Sequence, residues 1–306
     1  MEQRVRPEQV GCGTRGGAEA AVRAVRSFLE EGKTASQILL KLDSINAFNT
    51  IRRDVLIQIV HDTVPMYLPF VWQSYRRPSK LVYGEHVLES ASGVQQGDPL
   101  GPLLFCLVIE RLTKSLTSPL NAWYLDDGTI GGDVDCVVSD LQIVMTKGLE
   151  QGLELSTSKC ELFSFGGSHQ ERVAIRQKVN VFCPGILLPS RSELSLLGAP
   201  FMEEGLEEAV RAKTGPMKVV SKRLCFMHVH QALLHILRSS SVWKFSEVLK
   251  EFDEVVRSSL AEITNVQMSV EPWRHATFPV GLGGLGIRRA EEVALPAFLA
   301  SIHSAQ

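Results

Sequence analysis

The strongest constraint on the fold is a short segment near the middle of the chain, in which strand-forming residues lead into two adjacent aspartates. The segment spans residues 122–130 and reads AWYLDDGTI. Because Asp-Gly tolerates the positive φ angle that tight hairpins need, the pattern predicts a β-hairpin with Asp126, Asp127 and Gly128 at or near its bend. Adjacent carboxylates at an exposed bend repel each other unless a cation lies between them, and Mg²⁺ prefers such oxygen ligands. A solvated turn that binds nothing is the alternative that this motif alone leaves open.

The composition is that of an ordinary globular chain. Of the 306 residues, 44% are hydrophobic and 22% are charged, which is enough for two or three lobes with separate cores. The formal net charge of −2 means that any surface for nucleic acid must be a local one. The six cysteines form no C-x-x-C pair, so we expect reduced thiols in an intracellular protein. Apolar runs fall short of a membrane span, so we expect no membrane partner.

The first part of the chain alternates between helical and strand patterns. Residues 1–13 are predicted to form an irregular lead, and residues 18–31 an amphipathic helix. The apolar run at residues 37–42 predicts a buried strand that ends at Asp43. Asn46 is the expected N-cap of a helix over residues 47–61.

The remaining elements frame a glycine-rich loop. Strands are predicted at 80–83 and 86–90, and Asp98 is the expected N-cap of the helix that follows the loop, with Pro99 as its first residue. A helix over 134–150, a strand over 160–165 and a short strand-and-turn at 195–200 come next. A composition shift places a lobe boundary near Met202, and the chain beyond it reads as helical to about residue 264.

Three acidic side chains stand at the ends of predicted strands. If the strand that ends at Asp43 neighbours the hairpin in one antiparallel sheet, Asp43 meets Asp126 and Asp127 at one edge. Such a cluster can hold two Mg²⁺ ions ~4 Å apart, the separation used for in-line phosphoryl displacement.

In this order and spacing the motifs resemble those of reverse transcriptases from non-LTR retrotransposons. The matching segments are 42–49 (LDSINAFN), 92–104 (SGVQQGDPLGPLL, called the glycine loop below), 124–127 (YLDD), 152–161 (GLELSTSKCE), 196–198 (LLG, similar to the primer-grip turn) and 283–287 (GGLGI). The resemblance implies an α+β fold, a right-hand polymerase with a ferredoxin-like (RRM-like) antiparallel palm sheet backed by helices. It divides the chain into partial fingers at 1–36, palm at 37–201 with a finger insertion at about 60–92, an α-helical thumb at 202–265 and a post-thumb segment at 266–306.

The resemblance also implies roles for individual residues. Asp43 and Asp126 would be the main metal ligands, with Asp127 supporting them. Lys159 is a candidate acid for pyrophosphate departure, or a solvated lysine at a strand edge. The Phe48 ring would exclude a 2′-hydroxyl and so select deoxynucleotides, and simple core packing is its alternative. Gln96, beside Gly97, would contact the incoming nucleotide and the templating base pair, or only stabilise its loop.

The implied cofactor is Mg²⁺, as two ions. The implied partners are an RNA template, a DNA primer or RNA–DNA hybrid, and deoxynucleoside triphosphates, in an intracellular and nuclear setting. Two local groups of basic residues could follow a phosphate backbone. These are Arg76, Arg77 and Lys80 beside the palm, and Arg211, Lys213, Lys218, Lys222 and Arg223 on the predicted thumb.

The family pattern is incomplete in this sequence. The basic strands that grip the triphosphate upstream are expected to be missing, so we expect Mg²⁺ binding with weak or no processive synthesis unless a second chain supplies them. Two other functions stay open. One is a non-catalytic, nucleic-acid-binding relic of a retrotransposon polymerase; the other is another palm-fold phosphotransferase such as a nucleotide cyclase, against which the glycine loop argues.

Overall fold

Four strands that are distant in the sequence form one antiparallel sheet. The structure is a computed structural model that describes residues 6–31, 37–221 and 229–304. The sheet has the order β4-β5-β1-β6, so β1 pairs with both β5 and β6. Its strands are β1 (Gln37–Leu42), β4 (Leu120–Tyr124), β5 (Asp127–Asp133) and β6 (Glu161–Ser164). Two separate hairpins are formed by β2 (Ser79–Tyr83) with β3 (His86–Ser90), and by β7 (Ser195–Leu196) with β8 (Ala199–Pro200).

Helices account for most of the remaining described residues. In chain order they are α1 (Gly17–Glu31), α2 (Ala47–Thr50), α3 (Arg53–Thr63), α4 (Leu68–Tyr75), α5 (Gly101–Thr113), α6 (Val134–Gln151), α7 (His169–Asn180), α8 (Leu206–Ser221), α9 (Val229–Ser239), α10 (Ser246–Thr264), α11 (Val270–Thr277) and α12 (Ala290–Ser304). No helix in this described set is both long enough and apolar enough to cross a lipid bilayer. The observed class is therefore mixed α and β with an antiparallel sheet.

The chain separates into two compact units, Met1–Pro189 and Ser190–Gln306. The division falls before the predicted lobe boundary near Met202, because the β7–β8 hairpin belongs to the second unit. The turn of this hairpin has positive φ at both Leu197 and Gly198, as two-residue hairpin turns commonly do. The assignment of the units to palm and thumb stays a prediction.

Alternation along β1 determines which side chains enter the core of the first unit. Ile38, Leu40 and Leu42 are buried in one cluster with residues of α5 and α6, as the apolar run of this strand predicts. Lys41 points to the opposite face, where it forms a 2.8 Å ion pair with Glu161 of β6. The sheet therefore has one mostly apolar face against the core and one that carries charges beside its edge.

The hairpin exists, but its bend lies earlier than predicted. Tyr124 pairs with Asp127, so the two turn residues are Leu125 and Asp126, and Asp127 already belongs to β5. The positive φ is at Leu125 (57°) and not at Gly128. Gly128 is needed for a different reason, since a Cβ there would lie 2.7 Å from the ring of Trp123.

Two predicted helix starts are also wrong. Asn46 has left-handed φ and ψ angles and makes no capping hydrogen bond, and the predicted helix over 47–61 is interrupted at Ile51, whose ψ of 134° is not helical. Asp98 is not an N-cap, because α5 begins only at Gly101. Its carboxylate instead accepts a 2.9 Å hydrogen bond from the Leu100 N–H within the turn before the helix.

Asp253 is a buried carboxylate that links two helices of the second unit. This carboxylate on α10 is buried and accepts hydrogen bonds from the first two amides of α12, Ala290 at 2.7 Å and Glu291 at 3.2 Å. Burial raises the pKa of Asp253 to about 6, although the two amides and Arg289 act in the opposite direction. The folded unit therefore favours the protonated carboxyl more strongly than the unfolded chain does.

This pKa predicts how the stability of the second unit depends on pH. A carboxyl whose folded pKa lies above its unfolded value stabilises the fold below about pH 4, and that contribution is lost as the pH rises through about 6. We expect Asp253→Asn to gain stability relative to the native chain as the pH rises over this window, measured by urea unfolding at several pH values. A difference between the two proteins that is independent of pH would contradict this.

Candidate active site

The pairing of β1 with β5 places two of the predicted carboxylates opposite each other. Leu42 pairs with Gly128 in this antiparallel ladder. Continuing the register by one residue brings Asp43 opposite Asp127, and opposite residues in such a ladder have Cα atoms roughly 4.5–5.5 Å apart. Asp126 precedes Asp127 in the turn. The backbones of these three residues therefore lie at one edge of the sheet, and the meeting of their carboxylates at one point stays a prediction.

The carboxylates at this edge act on one another electrostatically. The pKa of Asp126 is raised, chiefly by burial and additionally by the charge of Asp43. The pKa of Asp127 is raised to about 6, first by loss of solvent around its carboxyl and then by Asp126 and Asp43, although part of the side chain still reaches solvent. The cluster thus carries negative charge that its surroundings do not neutralise.

Lys41 competes with a cation for the negative charge at this edge. Lys41 lies two residues before Asp43, and its charge lowers the pKa of Asp127. Lys41 was not among the predicted site residues, although the period of two along a strand places it on the same face as Asp43. Because Glu161 already pairs with Lys41, this lysine offsets only part of the negative charge.

The donor set at the edge fits a hard divalent cation. The three carboxylates supply the oxygen ligands that Mg²⁺ prefers. They also lie close enough for the charge of Asp43 to raise the pKa of the other two. As the side chains stand, however, no three His, Cys, Asp or Glu side chains within residues 6–31, 37–221 and 229–304 are arranged as a metal-binding group. Binding a metal here therefore requires the carboxylates to rotate toward a common point.

Lys159 lies beside Asp43. Its Nζ is 3.8 Å from a carboxylate oxygen of Asp43, and the lysine side chain is 69% exposed. The segment that carries it is held against the end of β1, since the Ser156 N–H donates to the Asp43 carbonyl at 2.8 Å and the Ile45 N–H donates to the Glu154 carbonyl at 2.8 Å. The structure therefore brings Lys159 to the carboxylate edge, and its exposure leaves the side chain able to reorient.

The other predicted site residues gather around α2 and the glycine loop. Phe48 stacks on Phe105 of α5, with ring centroids 4.4 Å apart and planes within 6°. The Gln96 amide donates to the Asn49 side chain at 3.3 Å, and Gly97 has φ of 87°, which favours glycine. Backbone contacts hold the loop against α2, because the Val94 N–H donates to the Phe48 carbonyl at 2.8 Å. Phe48 thus has the packing role that was its alternative, and its role in nucleotide selection stays a prediction.

Arg53 fixes the glycine loop, and it was not among the predicted site residues. Although buried, its guanidinium donates to the carbonyls of Gly93, Ser92 and Ser90 at 2.9, 3.1 and 2.7 Å. It also lies over the ring of Tyr75, whose hydroxyl donates to Asp98. From the sequence, an arginine that follows Arg52 at the start of a helix is expected at the surface. Its contacts with the loop carbonyls are visible only in the folded chain.

The predicted basic surface of the second unit is only partly supported. Arg211 pairs with Glu207 at 2.7 Å and with Glu251 at 3.4 Å, so its charge is largely neutralised. Lys218, Lys222 and Arg223 lie outside the residues whose side chains the structure describes.

Comparison with protein families gives a match over the part of the chain that holds these residues. A family model described as reverse transcriptase (RNA-dependent DNA polymerase) matches residues 4–201. The match includes the carboxylate edge, Lys159 and the glycine loop.

Two curated relatives are proteins of retrotransposable elements. The SLACS 132 kDa protein of Trypanosoma brucei gambiense is 25% identical over 314 residues, covering 94% of this chain and 25% of the relative. The Pol polyprotein from the type-2 element R2DM of Drosophila melanogaster is 26% identical over 225 residues, covering 64% of this chain and 21% of the relative. The chain therefore spans a quarter or less of the length of these relatives.

Solved structures give weaker likenesses. Telomerase from Candida albicans, in complex with a TWJ fragment of telomeric RNA, has a TM-score of 0.38 and 10% identity, covering 99% of this chain and 53% of its own. Telomerase from Candida tropicalis, in a complex of the same kind, has a TM-score of 0.41 and 13% identity, covering 97% and 51%. Neither score is high enough to support an inference about this chain.

Proposed function

The chain belongs to the reverse transcriptase (RNA-dependent DNA polymerase) family, with relatives in non-LTR retrotransposons, and we propose that it is an RNA-directed DNA polymerase core that extends a primer with deoxynucleotides. The observation that carries this proposal is the pairing of Leu42 with Gly128, which sets Asp43 beside the start of β5, with Asp126 in the adjoining turn. On this proposal the four-stranded sheet is the palm, with a ferredoxin-like arrangement, helices α8 to α10 form the thumb, and α11 and α12 belong to the post-thumb segment.

Asp43, Asp126 and Asp127 would hold two Mg²⁺ ions. When bound, these would lower the pKa of the primer 3′-hydroxyl and neutralise charge on the leaving phosphates. The 3′-oxygen would bond to the α-phosphorus as the bond from that phosphorus to pyrophosphate breaks, and the hydroxyl proton would pass to one of the three carboxylates or to solvent. Lys159, beside Asp43, would give a proton to the departing pyrophosphate.

The glycine loop would hold the nucleotide. Gln96 lies on the same side of the loop as Asn49 of α2, so its amide could contact the sugar of the incoming nucleotide or the base pair that it forms. Arg53 would keep the loop in register with α2 through its three carbonyl contacts. The template would be RNA and the primer DNA, and a second chain could complete the triphosphate grip.

Primer extension tests this function. The native chain, in excess over a DNA primer annealed to RNA, is expected to add deoxynucleotides only when Mg²⁺ is present. Asp43→Asn is expected to remove this signal. A non-catalytic relic would instead bind the hybrid and give equal background in both proteins, and that outcome would refute the proposal.

Nucleotide selection gives a separate prediction for Phe48. If the ring excludes a 2′-hydroxyl, Phe48→Val should lower the preference for deoxynucleotides over ribonucleotides by about tenfold, roughly the effect of one well-placed contact. Phe105→Leu is the matched control, since it removes the stacking partner and leaves the Phe48 ring in place. An unchanged preference in Phe48→Val would assign Phe48 to packing alone.

A further inference from the structure

The turn that carries Asp126 has an unfavourable backbone conformation. Leu125, its first residue, has φ of 57°, in the left-handed region that is uncommon for any residue other than glycine. A two-residue turn with positive φ at its first position normally has glycine there. Such a conformation is strained and persists only where the surroundings impose it.

The side chain of Gln9 hydrogen-bonds both backbone groups of Leu125. Its side-chain amide donates to the Leu125 carbonyl at 3.0 Å, and its Oε1 accepts from the Leu125 N–H at 2.8 Å. The same Oε1 accepts from the Gly11 N–H at 2.9 Å, and the side chain is 1% exposed. One buried amide therefore satisfies both backbone groups of the strained residue, across 116 positions of sequence.

The backbone on either side of Gln9 also contacts the hairpin that carries this turn. The Trp123 N–H donates to the Glu8 carbonyl at 2.7 Å, and the Val10 N–H donates to the Trp123 carbonyl at 2.8 Å. A Cβ at Gly11 would lie 2.4 Å from the Leu125 nitrogen, so only glycine fits there. The segment predicted as an irregular lead thus runs along the outer edge of β4 and ends at the turn.

We propose that Gln9 is a positioning residue for the carboxylate edge. It holds Leu125 in the left-handed conformation, and this fixes the direction in which Asp126 and Asp127 leave the turn. It touches no reacting atom. The inference rests on the proposed function insofar as those carboxylates bind metal, whereas the effect on the turn itself does not depend on it.

The test compares Gln9→Met with Asn121→Leu in the full chain. Asn121 is a matched control, because its amide also makes one donated and one accepted bond, to Thr113 and Trp123, but at the far end of β4. Two readouts need no polymerase activity: hydrogen exchange of the amides of residues 124–128, and Mn²⁺ binding by calorimetry. For Gln9→Met we expect about tenfold faster exchange and about tenfold weaker Mn²⁺ binding, the usual cost of losing a group that orients metal ligands. Asn121→Leu should lower the melting temperature similarly and leave both readouts within about twofold.

A second comparison separates positioning from general support of the fold. Glycine adopts the left-handed conformation freely. In a Leu125→Gly background, Gln9→Met should therefore change hairpin exchange by less than about threefold. If Gln9→Met does not fold, Gln9→Glu keeps the acceptor, loses the donor, and should shift exchange in the same direction by a smaller amount.

The outcomes are distinguishable. Hairpin exchange that Gln9→Met leaves unchanged, or changes equally in the Leu125→Gly background, would overturn the positioning role. Faster hairpin exchange in a protein whose native form binds no Mn²⁺ would overturn the proposed metal site and support the effect on the turn.

Discussion

Replacing Asp126 with Asn is expected to lower primer extension by about 10³-fold, because losing a carboxylate ligand removes several kcal/mol of charge stabilisation at the reacting phosphate. The same substitution should leave the melting temperature of the metal-free protein unchanged or slightly raised. Burial and the charge of Asp43 both raise the pKa of Asp126, so the native chain holds this charge at a cost when no cation is present. Single-turnover primer extension and thermal unfolding in EDTA check the two halves of the prediction.

Asp133→Asn is the matched control for this experiment. Asp133 lies at the other end of β5, opposite Gln37, and its side chain is exposed. We expect its substitution to change extension by no more than about twofold, as for a surface position remote from the site. Retention of a tenth or more of the native activity by Asp126→Asn would contradict the assignment of Asp126 as a ligand.

The second large effect is on stability and concerns Asp140 of α6. Its carboxylate is fully buried and accepts from the backbone N–H groups of Thr117 and Ser118, at 2.9 and 2.7 Å, and from the Ser118 hydroxyl at 2.6 Å. It thereby fixes the chain just before β4 enters the sheet. Asp140→Ala leaves the two buried donors of Ser118 without this acceptor, so we expect a loss of about 3 kcal/mol in the free energy of unfolding. Urea unfolding monitored by tryptophan fluorescence measures it.

Two variants on the same helix make this prediction specific. Asp140→Asn keeps one acceptor oxygen and should lose clearly less than Asp140→Ala. Asp135→Ala removes an exposed carboxylate that pairs with Lys178 at the surface, and should change stability by less than about 0.5 kcal/mol. Equal losses in Asp140→Ala and Asp135→Ala would show that the buried hydrogen bonds contribute little.

Local pattern predicted the strands that build the site. The alternation in residues 37–42 and the apolar approach to the aspartate pair are properties of adjacent residues, and both elements form where predicted. The sequence predicted that Asp43 meets the aspartate pair only if β1 neighbours the hairpin, and the structure shows that β1 pairs with β5. The metal ligands and the roles of Lys159, Gln96 and Gly97 stay predictions.

The failures share a cause, which is that distant partners override local preference. Asp-Gly favours a turn, yet Gly128 serves the packing of Trp123, and the positive φ falls on Leu125 because Gln9 holds it there. Asp140 resembles any polar residue of an amphipathic helix until its acceptor role at the start of β4 is seen. Such contacts join residues far apart in the chain, and no local rule predicts them.

The central claim is that Asp43, Asp126 and Asp127 share a pair of divalent cations. Electron paramagnetic resonance of the full chain titrated with Mn²⁺ tests it most directly, because two ions ~4 Å apart are magnetically coupled and distinguishable from isolated ones. We predict a coupled pair in the native protein and its loss in both Asp43→Asn and Asp126→Asn. Absence of bound Mn²⁺ in the native protein, or a signal that neither substitution changes, would contradict the account.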